Sequence, residues 1–227
     1  LQSGFEEYDT CVLEHEELYI RKAGDEISQQ LYSFEDKSGR RLSLRPEMTP
    51  SLARMILQHQ RSLPMPVRWF SIPQCFRYER MTKGRRREHF QWNADIIGQS
   101  GVTAEAEILL LLINACREMG LTDAEFRIFL NDRRILNSIL EKIEVPPNLH
   151  DSVLVIMDKR DKVSPESFSE MLVESGMNSS QVEQLKEHLA IPELESLSKL
   201  LPDCEGITAL QELSELIKIS GFSSYIQ

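Results

Sequence analysis

The stretch Cys75-Phe-Arg-Tyr-Glu-Arg-Met-Thr-Lys-Gly-Arg-Arg-Arg-Glu-His-Phe-Gln-Trp-Asn-Ala-Asp-Ile-Ile-Gly98 decides how the chain is read. Its two ends are apolar and aromatic, as strands are, and its tip is basic. Between Arg77 and Arg87 stand six basic residues (Arg77, Arg80, Lys83, Arg85, Arg86 and Arg87) and one acid, Glu79. The whole chain carries a formal charge of −10. Positive charge gathered in one loop of an acidic protein is placed for an anionic partner. The loop joins two expected strands, Gln74–Arg80 and Glu88–Gly98, and is long for a hairpin connection.

Outward from this hairpin the pattern is mixed. Phe5 to Leu13 reads as a strand and Glu14 to Arg21 as a helix. Leu31–Glu35 and Arg41–Arg45 alternate at period two around an Asp36–Gly39 turn, which is a hairpin signal. The turn Arg45-Pro-Glu-Met-Thr-Pro leads into a helix, Ser51–Gln60, with proline where a first-turn N–H is not needed. Val67–Ile72 is an aromatic strand. Thr103–Met119 is the strongest helix of the chain, about 25 Å long, capped by Thr103 and wide enough in its apolar surface to be deeply packed, against the sheet. Glu125–Leu130 reads as a further strand and Arg133–Ile143 as a helix capped by Asn131 or Asp132. After Val145-Pro-Pro only short amphipathic helices follow: His150–Lys159, Pro165–Ser175, Ser179–Leu189, Pro192–Leu201 and Glu205–Ser220. The expected fold is therefore α+β, an antiparallel sheet with flanking helices in residues 1–144 and a small all-helical subdomain in 145–227.

Composition excludes several classes. With 227 residues and 41% hydrophobic content the chain buries a core of its own, and its acidity argues against coating nucleic acid wholesale. Its longest apolar run, Ile108–Ile113, is far short of the roughly 20 residues of a membrane span. Cys11, Cys75, Cys116 and Cys204 stand apart, and no Cys/His spacing suits a metal, so reduced thiols and no metal site are expected. No targeting signal opens the chain, but Leu1-Gln-Ser-Gly-Phe reads as the tail of a helix, so the native polypeptide is expected to begin upstream.

Three stretches carry chemistry. Arg77, between Phe76 and Tyr78, needs a partner, and Glu79 shares its strand face; the two suit a ligand-ready pair, or equally a salt bridge on a solvated face. Gln91, Asn93 and Asp95 alternate with apolar residues, giving a polar face that reads a small ligand if concave and is otherwise plain surface. Glu47 suits a cation, and Thr49 lies near a helix N-terminus, where anions are welcome; alone, this is an ordinary strand-to-helix turn.

The order Leu-Arg-Pro-Glu-Met-Thr-Pro (Leu44–Pro50), Phe-Arg-Tyr-Glu-Arg (Phe76–Arg80), Lys-Gly-Arg-Arg-Arg-Glu-His-Phe-Gln (Lys83–Gln91) and Asp95-Ile-Ile-Gly98 resembles the histidyl-tRNA synthetases, most clearly over residues 4–143. The resemblance implies a class II catalytic core with its second motif at 75–98, followed by a helical insertion. It implies that Arg77 holds the ATP α-phosphate and the amino-acid carboxylate as the catalytic arginine, with Glu79 near the adenine and Arg85 on the ATP phosphates. Glu47, Met48 and Thr49 match positions around the α-amino group of histidine, and Gln91 and Asp95 match positions of the amino-acid site. Lys83, Arg86 and Arg87 match the loop that meets the tRNA acceptor end. The reaction implied is adenylation of histidine by ATP with Mg2+ and transfer to tRNA(His), with no tightly bound cofactor, no membrane and a homodimeric parent.

Two departures accompany the resemblance. Cys11 stands where the family's first motif has a proline, which loosens the expectation for the dimer. The family's later Arg-Gly-Leu-x-Tyr-Tyr segment, third motif and anticodon-binding domain are not in these residues. The chain is thus expected to be a piece of a synthetase with little histidine-dependent ATP–pyrophosphate exchange of its own. A non-aminoacylating paralogue that regulates histidine biosynthesis is the alternative, disfavoured by the arginines at the loop tip. The compartment is expected to be cytoplasmic, or a mitochondrion or plastid if a transit peptide is removed.

Overall fold

The computed structural model describes residues 3–23, 25–79, 84–191 and 193–227, without the side chains of residues 23, 25 and 26. They divide into two compact units, 1–100 and 101–227. The sequence-based boundary at Val145 follows the change to all-helical character, whereas the units part at Ser100.

The first unit holds the strands β1 (Glu6–Glu7), β2 (Leu13–His15), β3 (Ser33–Glu35), β4 (Arg41–Leu44), β5 (Val67–Ser71), β6 (Gln74–Phe76), β7 (Glu88–Phe90) and β8 (Asn93–Ile97). Its helices are α1 (Glu16–Ala23) and α2 (Thr49–His59). The strands form three small sheets, β1-β5-β8, β2-β4-β3 and β6-β7. All pairings are antiparallel except β1 with β5, which is parallel.

Two expected long strands are each divided between sheets. Phe5–Leu13 breaks after Glu7 because the Asp9 carboxylate accepts from the Thr10 N–H (2.8 Å) and from Arg45 Nη1 (2.7 Å), turning the chain away from β5 toward β4. Glu88–Gly98 breaks at Gln91-Trp92. The Gln91 N–H still donates to the Pro73 carbonyl (3.0 Å), and the chain then crosses to pair with β5. The hairpin β3–β4 is as expected, its turn tied by the Asp36 carboxylate to the N–H groups of Ser38 and Arg40 at 2.8 and 2.9 Å.

The core of this unit lies between one sheet face and α2. Val67, opposite Ile97, and Trp69, opposite Asp95, pack with Tyr8, Met48, Leu52 and Ile56. Removing each such side chain from water stabilises by roughly 1.5–3 kcal/mol. A buried carboxylate, Glu14, pairs with Arg54 on α2 and fastens β2 to that helix.

The second unit contains α3 (Thr103–Glu118), α4 (Arg133–Lys142), α5 (Pro147–Met157), α6 (Pro165–Glu174), α7 (Ser179–Leu189), α8 (Leu194–Leu200) and α9 (Glu205–Ile219). Capping sets their starts. Asp132 accepts from the Arg134 N–H at 2.8 Å, Ser164 precedes Pro165, and Asn178 with Gln181 forms a reciprocal capping box. Ile135, Leu136, Ile139, Leu140 and Ile143 line one face of α4 and form the centre of the core, with Val153, Leu172 and Leu185 fully buried around them. The deep burial expected of α3 is not reached: only Ala106 and Ile113 are buried, with α9 covering one side. Its N-cap position is Val102, which has no capping side chain, so Thr103 is the first helical residue and not the cap. The expected strand Glu125–Leu130 is reduced to one isolated bridge, Ile128 with Ile226. The Glu125 and Phe126 N–H groups turn back to the Thr122 carbonyl, and Ile128 and Leu130 pair with Tyr225–Gln227, too short a segment to build a ladder. Among the described residues no helix is long and apolar enough to cross a membrane.

Candidate functional site

The basic hairpin is built on β6 and β7, in register Gln74–Phe90, Cys75–His89 and Phe76–Glu88. The Arg77 N–H continues the ladder to the Arg87 carbonyl at 2.8 Å, so both arginines leave the sheet at the same level. Beyond them lies an open cleft of about 1150 Å³ lined by four arginines, Arg77, Arg85, Arg86 and Arg87, against Glu79 and Glu88. An excess of cations in a concave site favours a polyanion. Lys83 and Arg80 lie outside the described residues.

Among the described residues, Arg77 is held from one side only. Its Nε donates to the Pro46 carbonyl at 3.0 Å, and its two terminal nitrogens hold no partner among the described residues. The expected pairing with Glu79 is not made. Glu79 Oε2 accepts instead from Arg85 Nη1 at 3.1 Å. Arg87 is stacked, its guanidinium 4.2 Å above the centre of the Tyr78 ring, and its Nε donates to the Glu79 carbonyl at 3.3 Å. Arg86 is exposed. The hairpin therefore offers one half-anchored arginine at its base and several at its tip.

The contact of Arg77 with Pro46 brings the hairpin to the turn before α2. The Phe76 N–H donates to the Arg45 carbonyl at 2.9 Å and strengthens the join. Arg45 itself, 3% exposed, spans three segments by donating to the Gln74 carbonyl, the Thr10 carbonyl and Asp9. Sequence reasoning missed this role. Alternation hid it, because Arg45 falls on the face of Arg41 and Ser43, opposite Leu42 and Leu44. In the same turn Glu47 receives the ammonium of Lys22 at 2.6 Å. Met48 is buried at 1% exposure, so only its backbone faces the turn, and Thr49 is the exposed first residue of α2 with Pro50 behind it.

On the return limb, Gln91 and Asp95 are both half-buried. The buried Cys75 thiol donates to Gln91 Oε1 at 3.4 Å, which leaves the Gln91 NH2 group as the free end of the amide. Burial raises the pKa of that thiol, so it acts as a donor and not as a nucleophile. Burial also pushes the Asp95 carboxyl above the usual carboxylate range, and the neighbouring Tyr8 hydroxyl partly offsets the rise. All four cysteines are free. Asp95 lies in a different sheet from the β6–β7 pair that leads into Arg77, so the return limb carries the site from one sheet to the other.

The model of the family described as histidyl-tRNA synthetase matches residues 1–224. The chain is 44% identical over 225 residues to the chloroplastic/mitochondrial histidine–tRNA ligase of Arabidopsis thaliana, covering 99% of this chain and 46% of that one. It is 38% identical over 216 residues to the histidine–tRNA ligase of Haloarcula marismortui, covering 94% and 49%. It thus spans about half the length of these curated relatives. Among solved structures, the histidyl-tRNA synthetase of Nostoc sp. PCC 7120 superposes with a TM-score of 0.81 at 20% identity, over all of this chain and 53% of that one. A Bacillus halodurans chain titled as an ATP phosphoribosyltransferase regulatory subunit/histidyl-tRNA synthetase gives 0.82 at 21%, over 98% and 58%. At such identities the two structures speak for the fold alone, and the fold is that of the class II enzymes. With the motif order, the hairpin geometry and a family match across nearly every residue in agreement, this chain belongs to the histidyl-tRNA synthetase family.

Proposed function

We propose that this chain forms the phosphate- and amino-acid-facing part of a histidine–tRNA ligase, which activates histidine with ATP and passes it to tRNA(His). The observation that carries the reading is Arg77: a guanidinium bonded to Pro46, its two terminal nitrogens without a partner among the described residues, lining an arginine-rich cleft with the Glu47–Thr49 turn alongside. A planar fork held in this way grips two oxygens at once, which suits an α-phosphate and a carboxylate brought together for attack. In this reading Glu79 and Arg85 meet the nucleotide, and Mg2+ arrives with ATP as part of the substrate. Glu47 takes the α-ammonium of histidine, Met48 and Thr49 contribute from the same turn, and Gln91 and Asp95 meet the rest of the amino acid. Lys83, Arg86 and Arg87 face the acceptor end of the tRNA. No protein nucleophile is required: positioning and neutralisation of charge do the chemistry.

The parent enzyme is proposed to be a homodimer, working in an organelle or the cytoplasm; the plant relative named chloroplastic/mitochondrial supports the organelle. A purely regulatory role has less support, because a chain that charges no tRNA has no use for arginines at 85, 86 and 87.

Since the relatives carry about as much chain again, turnover by these 227 residues alone is proposed to be slight, and binding is the direct assay. Titration with Mg·ATP followed by calorimetry or NMR is expected to give saturable binding that Arg77→Ala abolishes. Equal ATP binding by wild type and Arg77→Ala would refute the assignment.

A further inference from the structure

Six buried side-chain polar atoms lack a hydrogen-bond partner among the described residues, and three of them stand together. They are the Tyr8 hydroxyl, the Ser71 hydroxyl and the Asn93 amide nitrogen. Ser71 is opposite Asn93 in the β5–β8 register, and Trp69 is opposite Asp95. Residues two apart on a strand share a face, so Ser71, Asn93 and Asp95 all point to the side on which Tyr8 lies. Tyr8 is set there by its N–H bond to the Phe70 carbonyl (2.9 Å) and by stacking on Trp69, with ring centres 5.5 Å apart. Its hydroxyl lies beside Ser71 and Asp95 without completing a well-formed bond to either. Ser71 is 2% exposed and Tyr8 8%, so water does not satisfy them from outside.

Burying an unpaired polar group costs about 1–3 kcal/mol, so each of the three calls for a partner. The chemistry of the three is one-sided. An amide nitrogen only donates, and two hydroxyls are free to donate, while a carboxylate only accepts and has about four lone-pair directions. Glu6, opposite Trp69 in the β1–β5 register, shares this face but is exposed, so Asp95 is the half-buried carboxylate beside the three.

We propose that Tyr8, Ser71 and Asn93 are a donor set for Asp95, engaged when substrate binds, which turns its carboxylate into a fixed acceptor for the ring N–H of the substrate imidazole. The three are positioning residues: they act through Asp95 and do not touch the reacting atoms. This rests on the reading of Asp95 as part of the amino-acid site. In the structure the three donors complete no well-formed bond to the carboxylate. A ring N–H on one oxygen fixes the orientation of the group, and the three donors then close on the remaining lone pairs. The selectivity that follows is for a ring that donates. A thiophene of similar shape offers Asp95 no proton and leaves the set unengaged.

The test uses the 227-residue chain and the variants Tyr8→Phe and Ser71→Ala, which each delete one oxygen with little change of shape. Thermal unfolding is measured without ligand. NMR titrations follow with L-histidine, with β-(2-thienyl)-L-alanine and with Mg·ATP. The expected result is an unfolding midpoint that is unchanged or higher, a loss of histidine affinity of about fivefold or more per variant, and no change for the thienyl analogue or ATP. A midpoint that falls in both variants would mean that the hydroxyls are partnered in the free fold, and the inference fails. Histidine affinity unchanged in the variants while the wild type binds would overturn the inference and leave the role of Asp95 standing. Equal loss of affinity for histidine and for the thienyl analogue in the variants would remove the reading of Asp95 as the acceptor of the ring N–H, and the inference with it.

Discussion

The Lys22–Glu47 ion pair makes a sharp prediction, because its cation is the same chemical group as the one Glu47 is proposed to receive. Lys22 Nζ lies 2.6 Å from Glu47 Oε2, with the lysine side chain 45% exposed and the glutamate 19%. An incoming α-ammonium meets like charge in Lys22 and competes with it for the carboxylate. A partly exposed pair of this kind contributes roughly 0.2–1 kcal/mol after side-chain entropy and screening are discounted. That energy is lost on every binding event in the wild type and is absent in Lys22→Met, which keeps the length of the stem and removes the charge. Histidine affinity is therefore expected to rise by about 1.5- to 5-fold in Lys22→Met, and the gain should shrink in high salt. Calorimetric titration of both chains with L-histidine measures it. The control ligand is 3-(imidazol-4-yl)propionate, histidine without its amino group, for which no gain is expected. An equal gain for both ligands would show that Lys22 acts through general electrostatics. Weaker histidine binding in the variant would show that Lys22 assists the ligand and does not compete with it. Either result refutes the placement of the ammonium on Glu47.

Other outcomes follow from the same geometry. Arg77→Lys is expected to bind ATP about tenfold or more weakly than wild type, since a point charge does not reproduce a fork anchored at Pro46. ATP titration checks it, and near-wild-type affinity would count against bidentate binding. In the helical unit, Leu140→Ala is expected to cost about 2–5 kcal/mol in denaturant unfolding, because Leu140 is fully buried in the main core of that unit. Asp132 is held below the usual carboxylate range by its bonds to the Arg134 guanidinium and N–H. A carboxyl with a lowered folded value binds fewer protons than the unfolded chain, so its stabilisation is present above the unfolded value near 3.8 and is lost as pH falls through the folded value. Asp132→Asn should accordingly unfold with a weaker pH dependence below about pH 4, and an unaltered acid limb would refute the linkage.

Much of this architecture is legible in the sequence because it is locally encoded. The β3–β4 hairpin follows from alternation around an Asp-Lys-Ser-Gly turn, and α4, α6 and α7 follow from Asp132, Ser164 and Asn178 at their caps. Apart from the misplaced cap of α3, the failures of the reading are long-range. Nothing local in Phe5–Leu13 says that Asp9 bends back to a buried Arg45 thirty-six residues away and splits the strand between two sheets. Glu125–Leu130 has strand composition and lacks a partner long enough to express it. Likewise Glu79 faces Arg77 by strand periodicity, yet pairs with Arg85 once regular β-structure ends at Phe76 and the hairpin curls over.

The same distinction applies to the site. Arg77, Glu47 and Asp95 are legible because motifs carry them, and motifs are short. What surrounds Asp95 is not, because Tyr8, Ser71 and Asn93 come from three strands or their flanks and meet only through register. On its own each is unremarkable in sequence: a tyrosine after an acidic pair, a serine ending an aromatic strand, an asparagine in an amide-rich run. The fold makes them conspicuous by burying three polar atoms beside one carboxylate without satisfying them. A core selected for stability alone would replace Ser71 with alanine and Tyr8 with phenylalanine at little cost in shape. Their burial beside Asp95 is therefore tied to what that carboxylate does, and the proposed substrate-bound state is the one in which its orientation is fixed and the three donors close on it.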